Sequence, residues 1–440
     1  MEEGQAPFNY THLMIFKSSL EFAKELDERD SLRSFRDRFI IPRSGAGEAI
    51  YFLGNSLGLQ PKKATALVGQ VLDQWSRYGV EGFFMGSEPW MHYHEQLTKY
   101  LSEITGALPH EIVVMNQLTV NLHLMLVSFY QPEGKRKKIL CEAKAFPSDQ
   151  YLLETHIRQR GFDPDDILIE VHPQEGEDTI RHEDILRAIE ANKDELAMVL
   201  WGGVNYYSGQ VFDIRTITAA AHQVGAVAGF DLAHAAGNII LQLHEWDVDF
   251  ACWCSYKYLN SGPGSIGGVF IHERYHKGKN INRFAGWWGY KKEEQFLMRK
   301  GFIPELTAEG WQISTPSPVL FALHKAALEL FAEAGMKQLV EKGQLLSDYL
   351  LFLLTQVIKK SKDPDIRIIT PKGKNEKGCQ VSMLMLRNGK KTFDLLTKEG
   401  VFADWREPNV IRVAPVPLYN RFEEIWQFVN IIEKALKSLA

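Results

Sequence analysis

The chain is poor in cysteine, has no long apolar run and carries no excess of either charge. Four cysteines, Cys141, Cys252, Cys254 and Cys379, stand among 440 residues. They are too few and too irregularly spaced for a disulfide framework or a CxxC zinc ribbon, so free thiols in a reducing compartment are the simple reading. No stretch approaches the roughly 18 uninterrupted apolar residues of a spanning helix. The acidic start, Met1 to Gly4, and an apolar stretch broken by Lys17 give no secretory signal. The expectation is a cytoplasmic protein that meets no membrane. Fifty basic against 55 acidic side chains leave a formal charge of −5, which argues against a nucleic-acid partner, since such binders show a basic excess or stripe. The one basic cluster, KRKK at 135–138, follows Pro132 and Gly134 and precedes an apolar run; it reads as a solvated loop entering a strand. There are no internal repeats or low-complexity tracts.

What is present is an ordinary globular composition, 45% hydrophobic and 24% charged. At roughly 150 residues per domain the length suggests two or three domains, and a chain of this size buries enough surface to need no disulfide or metal. Up to residue 60 one amphipathic helix, near residues 18–26, and a glycine-rich turn, GNSLG at 54–58, suggest an arm. A helix is expected from Pro61 to Gly79, with Leu67, Val71, Leu72 and Trp75 as its apolar positions and a proline at its first turn. Another is expected over residues 91–105. Between residues 111 and 273 short apolar runs at 112–115, 138–142, 166–171, 196–204, 226–231, 250–255 and 267–272 alternate with helical patterns such as 181–192 and 213–224. Nearly continuous apolar strands alternating with helices predict an α/β fold with a doubly wound, mostly parallel sheet. After Pro316 and Pro318 a long helical region, 320–358, leads into short strands near 366–370, 380–386 and 410–413 and a last helix at 421–439. These textures predict a large domain over 61–315, a small α+β domain over 316–440, and an arm, 1–60, associated with the small domain.

Chemistry concentrates at two strand ends. Asp231 closes the strand at 226–231, where open α/β sheets bind ligands; a helix cap explains it about as well. Lys257 lies between Tyr256 and Tyr258 just after the next strand. Burial among aromatics lowers a lysine's pKa and frees a nucleophilic amine, although a lysine snorkelling to water fits the position too. The pair is more telling than either residue, because pyridoxal phosphate needs a lysine for its Schiff base and a carboxylate to keep its pyridine nitrogen protonated. Leu118 and Thr119 open a helix whose free N–H groups and threonine hydroxyl suit a phosphate. Phe146 is placed to stack on a ring; taken alone it would be core, and Asp149 a cap. Two other signals are weaker. GPGSIG at 262–267 matches a dinucleotide pattern, but a strand follows it rather than a helix. His92, His94 and Glu95 suggest a metal, but adjacent helix positions point apart, and a surface histidine pair is expected with no metal.

The sequence resembles the kynureninase family of fold-type-I, aspartate aminotransferase-like enzymes, almost end to end. The resemblance is carried by YFLGNSLGLQP at 51–61, NQLTVNLH at 116–123, EAKAFPSD at 142–149, GFDLAHA at 229–235, DFACWCSYKYLN at 249–260, Gly286 with Trp287, and IRVAPVPLYN at 411–420. It implies pyridoxal 5'-phosphate as cofactor, with Lys257 as Schiff-base lysine, Asp231 on the pyridine nitrogen and His234 close by. Further implied contacts are Phe146, Pro147, Ser148 and Asp149 around the ring, and Leu118, Thr119 and Tyr256 at the phosphate, Tyr256 also relaying protons. Trp287 and Thr315 are implied cofactor contacts that a neighbouring subunit of a homodimer can supply. Arg412 resembles the clamp for the substrate α-carboxylate, and Ser56 a further substrate contact. The implied reaction is hydrolysis of L-kynurenine to anthranilate and L-alanine, in tryptophan catabolism or synthesis of nicotinamide cofactors. Gly202 stands where some members carry a cofactor-contacting serine, Thr315 where animal members have asparagine, and Val80 near a histidine of those members. Together these departures favour kynurenine over 3-hydroxykynurenine. A cysteine desulfurase using Cys379 is the rival within the fold, and a non-catalytic dinucleotide-binding module the rival outside it.

Overall fold

The computed structural model describes residues 15–45, 47–278 and 281–439; the chain start, read above for a secretory signal, lies largely outside them. Seven strands form the central sheet: β1 (Ile112–Val114), β2 (Lys138–Glu142), β3 (Leu168–Val171), β4 (Leu196–Gly202), β5 (Val227–Asp231), β6 (Phe250–Trp253) and β7 (Gly268–Ile271). Their order is β1-β7-β6-β5-β4-β2-β3, parallel throughout except that β7 runs against both β6 and β1. Each expected strand is present. The central ones are buried on both faces, Phe250 to Trp253 completely so, which is why they read as unbroken apolar runs rather than alternating ones.

A second, four-stranded antiparallel sheet carries the order Ile366–Ile368, Val381–Met385, Val410–Val413 and Asp404–Arg406. Its buried cluster includes Met383, Ile411 and Phe428, joined by Ala23, Leu26, Ile50 and Phe52 from the first sixty residues. Residues 20–29 thus pack with the last helix: helix Leu20–Arg29 lies on helix Phe422–Leu439, and Asp27 accepts from the first-turn amides of Phe422 and Glu423 at 2.7 and 2.9 Å. Among the described residues no helix is long and apolar enough to cross a membrane.

Several expectations shift. Residues 166 and 167, read as the start of a strand, belong to a helical turn, Pro164–Ile167, capped by Asp163, whose carboxylate accepts from Asp165 N at 3.1 Å. Pro61 pairs with Phe39 in a short ribbon and the helix begins at Ala64. Leu72 and Trp75 on that helix are exposed rather than core. The long region 320–358 is two helices, Pro318–Ala334 and Met336–Lys359, separated at Gly335, whose φ of +77° is one a side chain resists. His94 is buried, not on the surface, and binds Glu309 at 2.9 Å.

Candidate active site

The carboxyl ends of β1, β2, β4, β5 and β6 open into one cavity of about 220 Å³. Parallel register fixes its floor: Asp231 lies opposite Gly202 on one side and Cys252 on the other. Four residues beyond β6 the chain brings in Lys257, and beyond β2 it brings in Phe146, which caps helix Pro147–Gln159. Leu118, Thr119, Phe146, Ser148, Asp149, Asp231, His234, Tyr256 and Lys257 all line the cavity. Pro147 heads the helix that carries Ser148 and Asp149.

Lys257 Nζ sits 3.1 Å from His234 Nε2 and 5.7 Å from the centroid of Phe146. Burial, then the Lys257 charge, pushes the His234 pKa well below its usual value, so the ring is neutral. His234 Nδ1, the ring nitrogen turned away from Lys257, has no partner among the described residues. Asp231 accepts from Ala233 N at 2.7 Å and faces Asp149. Burial raises both carboxyls, Asp149 strongly, and for Asp149 the neighbouring Asp231 charge adds to the effect. Asp149 Oδ1 is a second buried atom without a partner. Helix Leu118–Phe129 starts without a side-chain cap from Gln117, so its first amides are available to an anion.

Glu142 and Tyr206 line the cavity as well, and the reading of the sequence assigned neither to the site. Glu142 is held by Asn205 Nδ2 and pushed up to about 7 by burial. It ends β2 as Asp231 ends β5, and the strand-end rule applied to one flags the other. Tyr206 packs edge-on against Phe146 at 5.3 Å and gives its carbonyl to Arg412 Nη1; nothing in its sequence context marks it.

Arg412, Ser56, Trp287 and Thr315 do not line this cavity. Arg412 is fully buried behind Tyr206, its Nε donating to Asp404 at 2.6 Å. Ser56 lies in the turn after Leu53, half-buried. Trp287 is 42% exposed with its Nε1 on Gln295 O, and Thr315 is exposed. The GPGSIG segment is the connection between antiparallel β6 and β7, with no helix behind it. Among the described residues two side-chain groups have donor atoms close enough for an ion, Glu111 with His244 and His272, and His94 with Glu95 and Glu309. In the first the Leu108 and Glu273 amides already occupy the Glu111 carboxylate; in the second Lys292 supplies the positive charge.

Comparison with known proteins agrees with this geometry. The profile of the kynureninase C-terminal domain matches residues 339–432. A kynureninase of Flavobacterium psychrophilum is 52% identical over 96% of this chain and 99% of its own, and one of Nematostella vectensis is 45% identical over 96% and 95%. The chain belongs to the kynureninase family. Its fold is aspartate aminotransferase-like: a cysteine desulfurase of Escherichia coli superposes with a TM-score of 0.74 at 15% identity, covering 93% of this chain and 99% of that one. One of Thermococcus onnurineus gives 0.73 at 17%, covering 89% and 95%. At such identities the likeness is of fold alone.

Proposed function

We propose that the chain is a pyridoxal-phosphate-dependent hydrolase that cleaves the Cβ–Cγ bond of L-kynurenine, giving anthranilate and L-alanine. The observation that carries this reading is the convergence of Lys257, Asp231, Phe146 and an uncapped helix start on one cavity, in a chain of this family. The residues fit the cofactor. Asp231 offers a buried carboxyl to a pyridine nitrogen, His234 Nδ1 and Asp149 Oδ1 are buried polar atoms short of a partner among the described residues, and the first amides of helix Leu118–Phe129 suit a phosphate. When bound, pyridoxal phosphate supplies an electron sink for the carbanion left as the carbon–carbon bond breaks.

The chain's own residues do the rest. Asp231 holds the proton on the pyridine nitrogen. Lys257, kept beside neutral His234, moves the proton at the substrate α-carbon. Tyr256, whose hydroxyl burial holds in the protonated form, relays a proton to the departing carbon. Arg412 takes the α-carboxylate and with Ser56 orients the scissile bond. Water adds to the γ-carbonyl, so atoms balance as kynurenine plus water giving the two products. Gly202 and Thr315 support a preference for kynurenine over its 3-hydroxy form, which a side-by-side assay of the two substrates tests. In Lys257→Ala, turnover should fall by at least about 10³-fold and the visible absorbance of the lysine-bound cofactor should vanish. A variant retaining both would sink the assignment.

The chain works as a homodimer in this reading. Trp287 and Phe296, 5.4 Å apart, and Phe84, 5.9 Å from Phe296, form an exposed apolar patch of the kind a second copy covers, and Trp287 of one copy would then complete the other's site. Sedimentation that shows only monomer would refute this. The desulfurase reading loses its carrier: Cys379 is buried and its thiol is pushed up to about 12 by burial, leaving no thiolate to hold sulfur.

A further inference from the structure

Arg412 does not stand alone. In the antiparallel pairing of Asp404–Arg406 with Val410–Val413, Asp404 is the register partner of Arg412. On a strand, residues two apart share a face, so Arg406 lies on the same side as Asp404, next to it. Register alone therefore lines up Arg412, Asp404 and Arg406 on one surface. The contacts follow this arrangement. Arg412 reaches Asp404 Oδ2 through Nε at 2.6 Å and through Nη2, and Arg406 Nε reaches the same oxygen at 3.0 Å. The carbonyl of Tyr206 takes Arg412 Nη1. Arg412 is fixed along one edge by a carboxylate and at a third nitrogen by a cavity residue.

Charge bookkeeping shows why the second arginine matters. Asp404 cancels Arg412, which is 1% exposed, and a neutral buried pair has no net attraction for a carboxylate. Adding one would leave an uncompensated negative charge where desolvation is most costly. Arg406, 36% exposed at its side chain, restores one positive charge to the group, and both arginines act on His234 and Tyr206 at the cavity wall. We propose that Asp404 and Arg406 are positioning residues of the carboxylate clamp, Asp404 fixing the Arg412 guanidinium and Arg406 supplying the net charge that lets the clamp accept an anion. The inference rests on Arg412 being that clamp.

Two ligands that differ only by a carboxylate separate the possibilities. Binding of L-alanine and of ethylamine to the holoenzyme is read from the change in the visible spectrum of the bound cofactor, beside KM and kcat for L-kynurenine. In Arg406→Gln, alanine affinity should fall roughly 10-fold, ethylamine affinity should stay within about twofold, and KM should rise while kcat changes little. Asp404→Asn should lower kcat, because Arg412 is no longer held, while alanine affinity, relieved of a negative charge, falls less than in Arg406→Gln; Arg406→Lys, which keeps the charge, should retain most of the parent's alanine affinity. Alanine affinity unchanged in Arg406→Gln, or alanine and ethylamine weakened alike, would overturn the proposal. Arg412→Ala is the control: if it leaves alanine binding intact, the clamp reading itself fails. If it abolishes binding while Arg406→Gln does not, only the present inference does. Arg406 is partly exposed, so its variants keep the test decisive should Asp404→Asn fold poorly.

Discussion

Asp231 and Asp249 sit at opposite ends of neighbouring strands in one sheet, and they are treated in opposite ways. Asp249, just before β6, accepts from Ala228 N at 2.6 Å, His222 Nε2 at 2.9 Å, Tyr275 Oη and Arg274 Nη2. These partners overcome burial and hold it below the ordinary carboxylate range. Asp231, at the end of β5, has one backbone amide and a competing carboxyl, and burial raises it. The same contrast separates Glu111, bonded by two amides and His244, from Glu142, whose carboxylate is bonded by Asn205 alone among the described residues. Buried charge that is fully partnered is structure. Buried charge left short of partners marks a place that a bound group completes.

The comparison breaks most sharply in activity. Asp231→Asn should cut turnover by roughly 10²- to 10⁴-fold, because an amide cannot keep the pyridine nitrogen charged. The apoprotein should melt no lower than the parent, since burying the Asp231 carboxyl costs stability that a neutral amide does not. A kcat near that of the parent would remove Asp231 from the site. Asp249→Asn should do the reverse, costing about 3–5 kcal/mol of stability by leaving Arg274 and His222 facing a neutral amide, with the folded fraction turning over almost normally. Because the folded pKa of Asp249 is depressed, its stabilisation is present above the unfolded value and lost as pH falls through the folded one. The variant's denaturation midpoint should therefore depend less on pH at the acid end. An unchanged midpoint near neutral pH would show that the network at this end of the sheet is not holding the fold.

The two ends were unequally legible in the sequence. All seven strands of the central sheet were legible, six of them because burial forces continuous apolar runs while β3, at the sheet edge, is largely half-buried or exposed, and Asp231 and Lys257 stood out because they end such runs. The other end, with His222, Asp247 and Arg274 around Asp249, left no pattern: its members come from three segments and meet only through sheet topology. Asp404 and Arg406 were hidden for a similar reason. Their strand has three half-buried residues, Asp404, Trp405 and Arg406, too few and too polar for a period to show, and only its register against Arg412 gives it meaning. Trp287 and Thr315 were named through resemblance, and one chain does not bring them to the cavity.

Glu142 offers the smallest and cleanest effect. Its carboxyl, 4.5 by ordinary reckoning, is pushed up to about 7 by burial. Below pH 4.5 the group is protonated whether the chain is folded or not, and it costs nothing. Between 4.5 and about 7 the unfolded chain releases the proton while the folded one keeps it, so stability falls as pH rises, and above about 7 the loss is constant. At about 1.4 kcal/mol per pH unit, that window is worth roughly 3 kcal/mol. Glu142→Gln removes the titration yet keeps an oxygen for Asn205 Nδ2. The apoproteins should be equally stable near pH 4, and the variant should be the more stable by about that amount at pH 8. Asp149 and Asp231 titrate in both proteins and interact with the Glu142 charge, so the difference between the two denaturation curves reports Glu142 together with its effect on these neighbours. Parallel curves from pH 4 to 8 would mean that Glu142 is already ionised and partnered in the fold, and would move it to the Asp249 side of the comparison.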